Sequence, residues 1–291
     1  MKPPAFAYRR AGSVAEAVAA LSEAPGRARL LAGGQTLVQE LAARTTTVDT
    51  LVDIDTLPGL DHVVIEPTVV RVGALCRIAT LERHAELADA LPALVDSAAR
   101  VAHPAIRNRG TIGGNVAHAD PASGIPPVLL ALDGEVVLVG PAGERTVPAT
   151  EFFTGYRQTA AASDEIITEV RFARTGPRSG SAFAEISRRA RGWGRAGACT
   201  AVRLDGSGAI EHLRIGLLAL APTARRAEAA ERAGIGRRPE AATAAELAEL
   251  AVADLEEIPS DRTASATLRR SLGRVSVRRA LTLSFARALG G

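Results

Sequence analysis

Lysine is nearly missing from this chain. Lys2 is its only lysine among 291 residues. A Walker A phosphate loop, which needs a lysine, is thereby excluded, and Schiff-base chemistry on a buried amine is disfavoured. Cysteine is almost as scarce. Cys76 and Cys199 form no C-x-x-C pair, so the chain cannot furnish the four thiolates of an iron–sulfur cluster, and any such cluster must belong to a partner. No apolar run approaches the ~18 residues of a membrane span, since Val128 to Val139 is broken by Asp133 and Glu135. The beginning, Met1-Lys2-Pro3-Pro4, lacks the layout of a secretory signal, so a cytoplasmic protein is expected. The five histidines, His62, His84, His103, His118 and His212, show no metal-ligand spacing. No metal site is expected.

What is present is an ordinary globular composition, with 47% hydrophobic and 23% charged residues and a formal charge of +3. The length suggests roughly two domains. The positive charge comes from arginines spread along the chain, with one modest cluster at Arg188, Arg189 and Arg191, which argues against nucleic acid as a partner.

Ser13-Val14-Ala15-Glu16 is a capping box opening a helix to about Ser22, and Pro25-Gly26 stops it. Arg29 to Ala32 reads as a strand ending in Gly33-Gly34, followed by a helical pattern with Leu37, Val38 and Leu41 on one side. Val48 to Ile54 is expected as a strand, Val63 to Val72 as a hairpin, Thr80 as the cap of a helix through Leu87, and Leu91 to Val101 as a second helix. A glycine-rich stretch and the strand Glu135 to Val139 follow. After Gly176-Pro177 come a strand from Cys199 to Leu204, a turn at Asp205 to Gly208, and a returning run from Ile210 to Ala221. The remainder is alanine- and arginine-rich with helical spacing, broken at Gly234, Gly236 and Pro259.

Two segments carry the chemistry. In Leu31-Ala32-Gly33-Gly34-Gln35-Thr36, paired glycines between a strand and a helix let consecutive backbone N–H groups face an anion such as a pyrophosphate. The same glycines also suit a plain tight turn needing positive φ, and their spacing departs from the Rossmann fingerprint. In Arg109-Gly110-Thr111-Ile112-Gly113-Gly114-Asn115 a second pair, Gly113-Gly114, is flanked by a hydroxyl and an amide. Two such segments point to one extended ligand held between two subdomains.

With those residues in view, the chain resembles the FAD-carrying medium subunits of the molybdenum hydroxylase family, which includes the carbon monoxide dehydrogenase and xanthine dehydrogenase flavoproteins. The likeness rests on Ala32 to Thr36 and Thr111 to Asn115 and continues through Met1 to Tyr8, Val101 to Pro121, Ala149 to Gly155, Asp164 to Ile167 and Ser260 to Leu281. The resemblance implies an α+β fold: a two-subdomain FAD domain of the vanillyl-alcohol-oxidase or p-cresol-methylhydroxylase type over 1–176, divided near residue 57, and a C-terminal domain of a small sheet on helices over 177–291. It implies non-covalent FAD held mostly by backbone N–H groups of the two segments. It also implies an iron–sulfur small subunit and a molybdopterin large subunit as partners, with electrons leaving for an external acceptor.

Two carboxylates of the family pattern are missing, at Gly124 in Asp120-Pro121-Ala122-Ser123-Gly124 and at Gly192. Asp120 is carried over as a cofactor residue or else is a turn residue. Trp193 stands where relatives place an aromatic against the flavin, or packs in the core or an interface. His103 and His118 flank the second segment and are expected to orient it. Loss of both carboxylates leaves a second reading open, a free-standing flavoenzyme whose opened site admits its own substrate.

Overall fold

The computed structural model describes residues 2–189 and 192–290. The first unit winds a parallel sheet from β1 (Ala7–Arg10), α1 (Val14–Ser22), β2 (Ala28–Leu31), α2 (Leu37–Ala43) and β3 (Thr50–Asp53), in the order β1-β3-β2. Ser13 caps α1 as its sequence promises, its side chain accepting from the Glu16 N–H at 3.1 Å. Leu41 is buried on the inner face of α2, but Val38 is half exposed, so the expected shared apolar side is narrower than the pattern suggested. The end of β3 is fastened by buried Asp53, which accepts from the Tyr8 hydroxyl and from the Asp55 N–H at 2.9 Å. Burial alone would raise the pKa of this carboxyl; the hydrogen bonds and the Arg10 charge outweigh it and hold it lowered. Asp53 is in register with Leu31, so this anchor sits beside the strand end that precedes Gly33.

The second unit runs β4 (Val63–Ile65), β5 (Val69–Gly73), α3 (Ile78–Arg83), α4 (Ala85–Ala90), α5 (Pro92–Ala98), α6 (Pro104–Arg107), α7 (Ile112–His118), α8 (Ile125–Ala131), β6 (Glu135–Gly140), β7 (Gly143–Pro148), α9 (Ala149–Phe152), β8 (Phe153–Gly155), β9 (Gln158–Thr159) and β10 (Ile166–Ala173). Its antiparallel sheet has the order β4-β5-β10-β6-β7, and β8 and β9 form a separate hairpin. The expected hairpin at Val63 to Val72 is β4–β5. Thr80 lies inside α3 rather than capping it, and the helix breaks at extended His84. Leu75, Val139 and Ile166 of this unit pack with Ala17, Leu21 and Val52 of the first, so one apolar cluster joins the two.

The third unit is an antiparallel sheet, β11 (Ser179–Ser187), β12 (Gly194–Leu204), β13 (Ile210–Leu218) and β14 (Arg225–Arg226), backed by α10 (Glu228–Gly234), α11 (Ala241–Ala253) and α12 (Ala266–Ala288). Phe183, Cys199 and Leu218 reach into the core of the second unit, which makes that core continuous across the junction. Arg287 of α12 reinforces it through Asp96 of α5 at 2.7 Å. No helix among the described residues is long and apolar enough to cross a membrane.

Candidate functional site

The two glycine segments, remote in sequence, touch. A Cβ added at Gly33 would stand 1.9 Å from the Arg109 carbonyl oxygen and 3.1 Å from Gly110 Cα. Only glycine permits this approach. Gly34 then turns the chain at φ +72, the left-handed region that side chains disfavour. The Gln35 side chain donates to the Gly33 carbonyl at 3.0 Å and stiffens the turn. The backbone N–H groups of residues 33–37 make no hydrogen bond to any acceptor among the described residues. Leu31 and Ala32 lead into this row half-buried, and Thr36 sits at the start of α2 with its side chain making no capping bond.

The second segment is built differently. Thr111 is the N-cap of α7 and its hydroxyl accepts from the Gly114 N–H at 3.1 Å. Ile112 N–H donates to the Cys76 carbonyl at 3.0 Å, Gly113 N–H to that of Ala74 at 2.9 Å, and Asn115 N–H to that of Thr111 at 3.0 Å. These bonds commit the backbone donors of residues 112–115 inside the chain. Gly113 is a packing glycine, since a Cβ there would lie 2.6 Å from Ala74 Cβ. The Asn115 amide oxygen accepts from the Ser123 hydroxyl at 2.6 Å and holds the following loop. What the segment leaves on the surface is Gly114.

Two arginines that sequence reasoning passed over hold the arrangement. Arg77 Nη1 donates to Asp55 Oδ1 at 2.8 Å and to the Arg109 carbonyl at 2.6 Å, the same oxygen that Gly33 packs against. Arg157, on the β8–β9 tip, donates to Asp120 Oδ2 at 2.6 Å and lies 3.7 Å from Glu40 Oε1. Asp120 is buried, and its other oxygen accepts from the Ala122 N–H at 2.9 Å, the bond of a turn residue. His118 Nε2 is 3.7 Å from Asp120 Oδ2. Burial, then the Arg157 charge, lower the His118 pKa and favour the neutral ring. His103 precedes α6 and its side chain makes no capping bond.

The place of the first missing carboxylate is filled rather than opened. A Cβ on Gly124 would be 2.5 Å from Ser97 Oγ and 3.0 Å from the Phe183 ring. Gly192 is close to the Arg189 carbonyl, 3.2 Å from an added Cβ. Trp193 is 72% exposed just before β12, which excludes the core alternative. Arg188 and Arg189 are exposed beside it, and Arg191 lies outside the described residues. Glu185, half-buried on β11, has its pKa pushed up to about 7 by burial against a weaker opposing pull from Arg100.

Among the described residues no group of three or more His, Cys, Asp and Glu is placed to hold a metal. Both cysteines are buried, and burial pushes the Cys76 thiol up to about 12 and the Cys199 thiol well above its ordinary value. Neither is poised as a thiolate ligand.

Residues 4–174 match the model of the FAD binding domain in molybdopterin dehydrogenase. The chain belongs to this family. Residues 181–283 match the CO dehydrogenase flavoprotein C-terminal domain. A curated relative, the 6-hydroxypseudooxynicotine dehydrogenase complex subunit alpha of Paenarthrobacter nicotinovorans, is 38% identical over 99% of this chain and 97% of its own. The carbon monoxide dehydrogenase medium chain of Hydrogenophaga pseudoflava is 35% identical over 99% of both. A solved structure of the Hydrogenophaga pseudoflava carbon monoxide dehydrogenase lacking the Mo-pyranopterin moiety superposes with a TM-score of 0.94 at 36% identity, covering 99% of each chain. The chain is therefore an α+β, FAD-binding oxidoreductase component. Its residues suit the cofactor: a turn that a single methyl group would obstruct faces a row of uncommitted backbone donors, the donor set a pyrophosphate requires.

Proposed function

We propose that this chain is the medium, electron-transferring subunit of a molybdenum hydroxylase-type complex. In that reading it takes electrons from iron–sulfur clusters on a small subunit, fed by a molybdenum cofactor on a large subunit, and delivers them to an external acceptor. When bound, FAD supplies the two-electron to one-electron redox exchange; the chain's residues hold and orient it. The observation that carries the reading is the contact of Gly33 with Arg109, which fuses the two glycine segments into one site. With only two cysteines, both buried, the chain needs a partner for any iron–sulfur relay.

Within the site, residues 33–37 are assigned to the pyrophosphate, with Leu31 and Ala32 setting their approach. Thr111, Ile112, Gly113, Gly114 and Asn115 form the buttress against which the cofactor rests, Asp120 its polar wall and exposed Trp193 its ring neighbour. The division into 1–176, with subdomains meeting near residue 57, and 177–291 follows from the same reading. The free-standing flavoenzyme loses its main motive at Gly124, where Ser97 and Phe183 occupy the space the lost carboxylate was thought to open.

The test is native purification followed by an absorption spectrum and subunit analysis. A yellow chain accompanied by iron–sulfur and molybdopterin subunits is expected. A flavin-containing chain that isolates alone and oxidises a substrate by itself would contradict the proposal.

A further inference from the structure

α2 begins at the first glycine segment and α7 at the second, so the two helices start where Gly33 packs on Arg109. Glu40 lies in the fourth position of α2, and Asp120 follows two residues beyond α7. Glu40 is therefore in the first turn of α2, about 5 Å along the axis from its start, while Asp120 lies past the end of α7 remote from the glycine contact. Arg157 binds both, Asp120 through Nη2 at 2.6 Å and Glu40 through Nη1 at 3.7 Å. It does so from a left-handed backbone, φ +52, at the tip of the β8–β9 hairpin. A non-glycine residue keeps that conformation only where its surroundings hold it. The forked guanidinium is suited to two carboxylates on different elements in a way that a point-charged ammonium is not.

We propose that Arg157 is a cofactor-positioning residue: by tying the first turn of α2 to the loop that follows α7 it fixes the two glycine segments relative to one another and so sets the affinity for FAD. The inference rests on the flavin reading and goes beyond it, because Arg157 belongs to neither glycine segment. Arg77 secures the two segments through Asp55 and the Arg109 carbonyl, and Arg157 secures them through Glu40 and Asp120. Arg157 and Glu40 are about one-third exposed, so salt weakens the tie.

The test uses the purified full chain, reversibly stripped of flavin, titrated with FAD by fluorescence quenching, with the melting midpoint of each apo form recorded alongside. Arg157→Gln is expected to raise the FAD Kd roughly tenfold or more, with Arg157→Lys intermediate and Glu40→Gln shifted the same way. The apo midpoints should move by only a few degrees, and about 0.5 M salt should narrow the gap between wild type and Arg157→Gln. Unchanged Kd in Arg157→Gln overturns the proposal while leaving the flavin reading intact. A loss of apo stability that accounts for the whole Kd change, with no effect in Glu40→Gln, overturns it in favour of a merely structural role. If Arg157→Gln does not fold, Arg157→Lys and Glu40→Gln decide by the same readout. A wild-type chain that takes up no FAD removes the flavin reading and this inference together.

Discussion

Gly33-Gly34 follows a strand and leaves the N–H groups of residues 33–37 without an acceptor among the described residues, whereas Gly113-Gly114 lies within the first turn of α7, whose donors are taken by Ala74, Cys76 and Thr111. The same dipeptide thus serves two ends. In the first segment glycine lets the backbone present donors; in the second it lets a helix start press on Ala74. A Gly-Gly pair marks a close approach of backbone, and only the hydrogen-bond accounting tells whether that approach is toward a ligand or toward the protein's own core.

The largest effect should come from Gly33→Ala. Its methyl group cannot coexist with the Arg109 carbonyl at 1.9 Å, so the segments must part, and FAD affinity should fall by roughly a hundredfold or more in the protein that still folds. Gly113→Ala sharpens the contrast. Overpacking against Ala74 should cost roughly 1–3 kcal/mol in denaturant unfolding, while the folded fraction keeps its FAD Kd within a few-fold.

Glu185→Gln, on β11 and in neither segment, probes stability alone. The folded pKa near 7 lies above the ordinary 4.5, so the folded state holds the proton more tightly and wild-type stability falls as pH rises from 4.5 through 7. Removing the charge should therefore stabilise the chain by at most roughly 3 kcal/mol at pH 8.5 and by little at pH 4, read as melting midpoints at the two values. Equal effects at both would show that burial does not control this carboxyl. The smallest effect is expected of Thr111→Ala, which deletes the cap on Gly114 and should cost about 1 kcal/mol of stability without a large change in FAD affinity.

Much of the first segment was legible because its signals are local: an apolar run, a glycine pair and a helical pattern in immediate succession. The capping box at Ser13 was legible for the same reason. The start of α7 at Thr111 was not, since Thr-Ile-Gly-Gly-Asn has poor helix propensity and becomes helical through its packing on Ala74 and Cys76. Thr80 was misread as a cap because Ser and Thr inside helices give the same composition cue. Arg77 and Arg157 could not stand out as single arginines in an arginine-rich chain, because their partners Asp55, Glu40 and Asp120 are assembled only by the tertiary fold. The replacement at Gly124 read as an opening, and only the placement of Ser97 and Phe183 showed it to be filled.

Amide hydrogen exchange of the apo and FAD-loaded chain tests the central contrast most directly. Residues 33–37 should exchange fast in the apo form and become protected on loading, while the amides of residues 112–115 should be slow in both. Protection gained at 112–115 with none at 33–37 would contradict the account.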